Sequence, residues 1–162
     1  MERFLIALDC MPDCLKIVDY MNRVLNGTEH CEFTLFHILP TSSPDKLRME
    51  NVQRIEQIHA TRPDLDGYFW RSEDEKKMER CFSDAREKLV ARGFPDASIT
   101  SGFGVESGDL ADIILAKAAD LGCSTIVLGR KRLGRVKEFL LGSVSSTVLR
   151  MARGSAVWVI EI

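Results

Sequence analysis

The sequence predicts an α/β fold: a single domain over residues 1–162, built on a parallel five-stranded sheet with helices on both faces. Three observations carry this expectation. Five short runs are almost wholly apolar, as expected of strands buried on both faces. Segments with apolar residues at helical spacing separate these runs, and strands alternating with helices imply βαβ units. The chain has 162 residues, which fits one domain with its own core.

The elements follow in order. Residues 3–8 (Arg-Phe-Leu-Ile-Ala-Leu) are the first strand, ending at Asp9. Pro12 marks a break and a helix start. Cys14, Val18, Met21 and Leu25 then recur at helical spacing, and Gly27 closes that helix. Glu32 to Leu39 is the second strand, stopped by Pro40. Residues 41–72 form the least regular stretch, a variable insertion with a helix over Lys46 to Ala60. Pro63, Asp64, Asp66 and Gly67 make a loop before Tyr68, Phe69 and Trp70. These aromatics can pack in the core, cover a ligand or meet a partner. A long charged helix over Glu73 to Arg92 turns Met78, Cys81, Phe82, Ala85 and Leu89 inward. Ala97 to Phe103 is the third strand. Ser107-Gly108-Asp109 opens the next helix with a polar cap. Leu110, Ile113, Ile114, Lys117 and Leu121 mark its inner side, and Gly122 caps its end. Thr125 to Leu128 is the fourth strand, running into Gly129. Gly142-Ser143 begins the last helix, with Val144, Val148 and Met151 as its apolar positions and Gly154 after it. Ala156 to Ile162 is the fifth strand.

Composition excludes several classes. Hydrophobic residues are 45% and charged residues 28% of the chain, a globular balance. The formal net charge of -2 supplies no global field toward nucleic acid or anionic lipid. The apolar start is shorter than the roughly 7–15 residues of a secretory core and the ~20 of a membrane span. A cytoplasmic protein is expected, without nucleic acid or membrane as partner. The five cysteines are scattered and form no C-x-x-C pair, so neither zinc nor a thioredoxin-like dithiol is suggested. They read as small apolar residues, with the spacing of Cys10 and Cys14 leaving a redox role open. His30, His37 and His59 read as structural.

The chemistry concentrates in residues 129–143. This segment leaves a strand end and delivers Gly142-Ser143 to a helix start. Unpaired backbone N–H groups and the positive end of the helix dipole suit phosphate oxygens there. Glycine allows close approach, and Ser143 adds a hydroxyl, with Ser145 and Ser146 near by. Arg130, Lys131, Arg132, Arg135 and Lys137 raise the positive potential. The alternative is an ordinary helix cap with solvated charges. In a parallel sheet, ligands sit beyond the carboxyl ends of the strands. Asp9, Ile38 and Gly129 occupy such ends.

The spacing from Gly129 to Gly142-Ser143 resembles the glycine motif of the universal stress protein family. Its flanks, Thr125 to Leu128 and Phe139 to Ser145, are similar too. So are Leu5 to Asp9, Leu35 to Ile38, and Gly108 to Gly122. The resemblance covers nearly the whole chain except roughly residues 41–95. One departure stands out: Arg132 occupies the family's second glycine position. Its side chain can block a triphosphate or pair with its oxygens.

The resemblance implies a Rossmann-like, adenine nucleotide alpha hydrolase-like sheet in the order 3-2-1-4-5. It implies ATP as ligand, with AMP or ADP as alternatives and magnesium carried by the phosphates. Asp9 would meet the ribose or adenine, and Ile38 the adenine. Gly129 would pass near the ribose or α-phosphate. Gly142, Ser143 and Val144 would hold the outer phosphates, with Arg130, Arg132 and Ser145 beside them. The expected function is adenine-nucleotide binding and stress signalling toward an unidentified protein partner. The alternatives are a nucleotide-independent dimeric adaptor closed by Arg132, or a slow ATPase or autokinase for which no base is evident. The β-rich last strand, if it is a sheet edge, must be covered; a homodimer through Ala156–Ile162 does this, and the resemblance implies the same.

No G-x-x-x-x-G-K-[ST] and no G-x-G-x-x-G after the first strand occur, which argues against a P-loop NTPase or a dinucleotide fold. Nor does the first strand end in the paired acids of a phosphate-accepting response regulator.

Overall fold

Five parallel strands form one sheet in the order β3-β2-β1-β4-β5. The computed structural model describes residues 1–25, 30–130 and 142–162. The strands are β1 (Glu2–Ala7), β2 (Cys31–Leu39), β3 (Ile99–Val105), β4 (Thr125–Arg130) and β5 (Ala156–Glu161). The helices are α1 (Lys16–Val24), α2 (Met49–Thr61), α3 (Ser72–Ala91), α4 (Leu110–Asp120) and α5 (Ser143–Met151).

β1 lies at the centre, pairing in parallel with β2 on one side and β4 on the other. Its side chains divide strictly by parity. Phe4 and Ile6 enter a core shared with α1, α2 and α3. Leu5 enters a second core shared with α4 and α5. This period of two, with apolar residues at both parities, is why the strand reads as a continuous apolar run. The expected strand order and two-faced helix packing are both present.

Three elements differ from the sequence reading. β3 starts at Ile99 rather than Ala97, because Asp96–Ser98 form a 3₁₀ turn after Pro95. On α4 the buried stripe is Ala111, Ile114 and Ala118, and Lys117 is only half-buried. Ile113 and Leu121 are partly buried and pack against the same core, so the expected inner side is present and the two alanines join it. On α5, Ser145 and Val148 are buried while Met151 is 49% exposed. Gly27 lies outside the described residues. Gly122 does end α4, at φ +60, the left-handed position that glycine tolerates best.

The inserted stretch is ordered by burial. Ile55 of α2 and Trp70 are both fully buried. Trp70 packs edge-on against Phe103, with ring centroids 5.5 Å apart, and its Nε1 donates to Glu75 at 3.3 Å. Arg54 of α2 donates twice to the same carboxylate. Tyr68 and Phe69 pack against this core, so the aromatic cluster has a packing role. His59 faces the Tyr68 carbonyl at 2.9 Å, consistent with a structural histidine. Among the described residues no helix is long and apolar enough to cross a membrane.

Trp70→Ala should destabilise the protein by about 3–5 kcal/mol, the usual cost of emptying a large buried aromatic site. Urea denaturation would show this as a lower midpoint.

Candidate functional site

The chain leaves β1 toward one side of the sheet and returns to β4 on the other. A cavity of about 320 Å³ opens at their carboxyl ends. This volume lies within the range of roughly 300–1,000 Å³ typical of small-molecule sites. Ala7, Leu8 and Asp9 line it from the end of β1, and Phe36, His37 and Ile38 from β2. Leu128 and Gly129 come from β4, Leu110 and Ile114 from α4, and Val144 and Ser145 from α5.

The wall is mainly apolar, and besides His37 its polar groups stand at two places. Asp9 stands at one. Its Oδ1 accepts the Met11 N–H at 3.0 Å, which shapes the turn after β1 and orients the carboxylate. The first turn of α5 stands at the other. Ser146 N–H is bonded to the Gly142 carbonyl at 2.9 Å, so the amides of Ser143, Val144 and Ser145 precede the first intrahelical bond. Among the described residues no side-chain cap bond is made at this N-terminus. Three such donors at the positive end of a helix attract an anion.

The two glycines differ in cause. A Cβ on Gly129 would lie 2.9 Å from Cδ1 of Ile17 and 3.1 Å from Cδ1 of Ile162. Packing against these two side-chain ends therefore favours a glycine here, whatever the cavity holds. Gly142 has φ -58 and ψ 153, open to any residue, and a Cβ there would meet no described atom within 4 Å. Neither backbone nor described packing accounts for it; close approach of a group outside the described residues would.

Of the residues expected to form a site, the structure brings Asp9, Ile38, Gly129, Val144 and Ser145 to one cavity. Gly142 and Ser143 sit at its α5 edge. Arg130 is directed elsewhere: its Nη2 donates to Glu161 of β5 at 2.5 Å, and it does not line the cavity. Arg132 lies outside the described residues, with Lys131, Arg135 and Lys137.

A family model for the universal stress protein family matches residues 1–160. The chain belongs to that family. Solved structures of members share the fold at low identity. One from Burkholderia pseudomallei is 16% identical, with TM-score 0.63 over 98% of this chain and 95% of that one. A universal stress protein in complex with cAMP is 18% identical, with TM-score 0.64 over 98% and 96%. One from Archaeoglobus fulgidus in complex with dAMP is 16% identical, with TM-score 0.62 over 99% and 98%. No curated protein sequence matches the chain.

The sequence reading of this family member missed one polar residue in the wall. His37 was read as structural, yet it lines the cavity as well as bracing it. Its Nδ1 lies 2.6 Å from the Leu8 carbonyl, a contact that requires Nδ1–H as donor and leaves Nε2 as the other polar atom of the ring. Its position one residue before Ile38 at a strand end was the available signal. Leu110 and Ile114 were expected to face inward; they reach the cavity wall because α4 starts at its rim.

Gly129→Val and Gly142→Val should separate the two causes. The first should lower stability by about 1–3 kcal/mol through overpacking. The second should stay within roughly 0.5 kcal/mol of wild type, as open surface sites do. Paired thermal melts would decide.

Proposed function

We propose that this protein binds an adenine nucleotide in the cavity at the ends of β1, β2 and β4, and signals its occupancy to a protein partner under stress. The carrying observation is the first turn of α5: helix amides ahead of the first intrahelical bond beside an apolar crevice, led by a glycine that the described fold does not require. The adenine ring lies between Ile38 and the neighbouring apolar wall, and Asp9 accepts hydrogen bonds from the ribose hydroxyls. Gly129 passes beside the ribose or α-phosphate. The amides of residues 143–145 and the Ser143 hydroxyl receive phosphate oxygens.

The cAMP and dAMP complexes of two relatives support an adenine nucleotide as the ligand class. ATP is the nucleotide proposed here, with magnesium arriving on its phosphates, since magnesium is held mostly by phosphate and water. Among the described residues no group of three acids, histidines or cysteines is arranged to hold a metal by itself. Arg130, already paired with Glu161, contributes through potential rather than contact, and Arg132 is the cation assigned to the outer phosphates. The protein works in the cytoplasm, where five unpaired thiols persist.

β5 is a sheet edge, and its Val157, Trp158 and Val159 are half-buried. A second copy pairing along 156–162 would cover both backbone and side chains.

Calorimetry with ATP, ADP and AMP, with and without magnesium, tests the binding. Heat and a thermal shift are expected from wild type, and at least a tenfold loss of affinity from Gly142→Trp. Silence from wild type at millimolar ATP, with binding restored by Arg132→Gly, would mean that the chain is an adaptor with a closed pocket. For the dimer, sedimentation should give a twofold mass that falls to one protomer in Val159→Asp. A wild-type monomer at micromolar concentration would refute the pairing.

A further inference from the structure

Three of the five cysteines, scattered in the sequence, meet in space. Cys10 and Cys14 stand in the turn between β1 and α1, and Cys81 stands on the inner face of α3. Cys14 Sγ lies 3.3 Å from Cys81 Sγ, and Cys10 hydrogen-bonds Cys81 as well. A disulfide has its sulfurs ~2.05 Å apart, so closing the Cys14–Cys81 gap requires a movement of only about 1.3 Å. Cys10 is held in a left-handed backbone conformation, φ 53, uncommon for a residue with a side chain. Cys31 and Cys123 have no such neighbour among the described residues, and the trio has no arrangement that would hold a metal ion.

We propose that Cys14 and Cys81 are a peroxide-oxidisable dithiol, a modification site that links the β1–α1 turn to α3. One sulfur attacks hydrogen peroxide as thiolate: its S–O bond forms, the O–O bond breaks, and hydroxide leaves to take up the released proton as water. The second sulfur then attacks the sulfenic sulfur. The S–S bond forms, the S–O bond breaks, and a second water leaves with the remaining proton. Two thiols are oxidised by two electrons and one peroxide is reduced to two waters.

Burial selects the oxidant. Cys14 is 2% and Cys81 8% exposed, which admits a small neutral peroxide and excludes glutathione disulfide. The hydrogen bond to Cys10, and then burial, push Cys81 up to about 12. The hydrogen bond to Cys81 and burial push Cys14 up too. Both protons are therefore held at neutral pH, and the pair reacts slowly, in response to sustained oxidant. The site does not depend on the nucleotide reading. It would nevertheless fix the turn that carries Asp9.

The test treats the reduced full-length protein with hydrogen peroxide, blocks remaining thiols with N-ethylmaleimide in denaturant, and maps peptides without reduction. The expected product is an intact mass lower by two hydrogens before blocking. A peptide pair joining Cys14 to Cys81 should appear, with Cys10, Cys31 and Cys123 alkylated and full reversal by dithiothreitol. The same protein in glutathione disulfide should show no adduct on Cys14 or Cys81. The proposal fails if both cysteines remain alkylated after peroxide, if Cys81 is joined to Cys10 instead, if the link runs between chains, or if glutathione adds to either.

Discussion

The central position of β1 is the constraint from which the rest follows. It is hydrogen-bonded in parallel on both sides, to β2 through Glu2–Ala7 and to β4 through Phe4–Ala7. A strand so placed can expose neither edge nor face, so both parities must be apolar and both faces must be covered. The two cores supply that cover. The connection from β1 leads to one side and the connection into β4 comes from the other, and among the described residues a crevice is left at their carboxyl ends. The crevice is thus a consequence of topology, and side chains only decide what it accepts.

Within the crevice, polar groups are few and separately fixed. Asp9 is held by an amide two residues on, His37 by a carbonyl of the adjacent strand, and the α5 amides by the helix itself. A site built this way is largely formed before a ligand arrives, which limits the ordering cost of binding. Gly129 lets β4 pack closely against Ile17 of α1 and against Ile162.

Much of the fold was legible because burial on both faces leaves a strong pattern. Leu5, Ile6, Ile126 and Val127 announce strands without ambiguity, and Met78, Cys81, Phe82, Ala85 and Leu89 announce the inner face of α3 at the correct phase. On α4 the periodicity marks Ile113, Ile114 and Leu121 as inward but passes over Ala111 and Ala118, because alanine is apolar but uninformative. Ala111 and Ala118 win the interior through their small size, a matter of interhelix and helix–sheet distance that local periodicity does not record. The site was legible where chain position decides it, as for Asp9, Ile38 and Gly129 at strand ends. Position alone did not reveal that Arg130 pairs with Glu161, 31 residues away. Long-range pairing also hid the thiol cluster, since Cys14 and Cys81 are joined only by the packing of α1 against α3.

No cavity wall residue among those described comes from the stretch between β2 and β3. That stretch is anchored on the opposite face of the sheet, through Ile55, Trp70 and the Arg54–Glu75 bracket. It can therefore change in length or surface chemistry during evolution without disturbing what the crevice recognises. Met49, 68% exposed on α2, lies in that unconstrained territory. Divergence between related chains has room to accumulate there, giving each its own outward face on a shared interior.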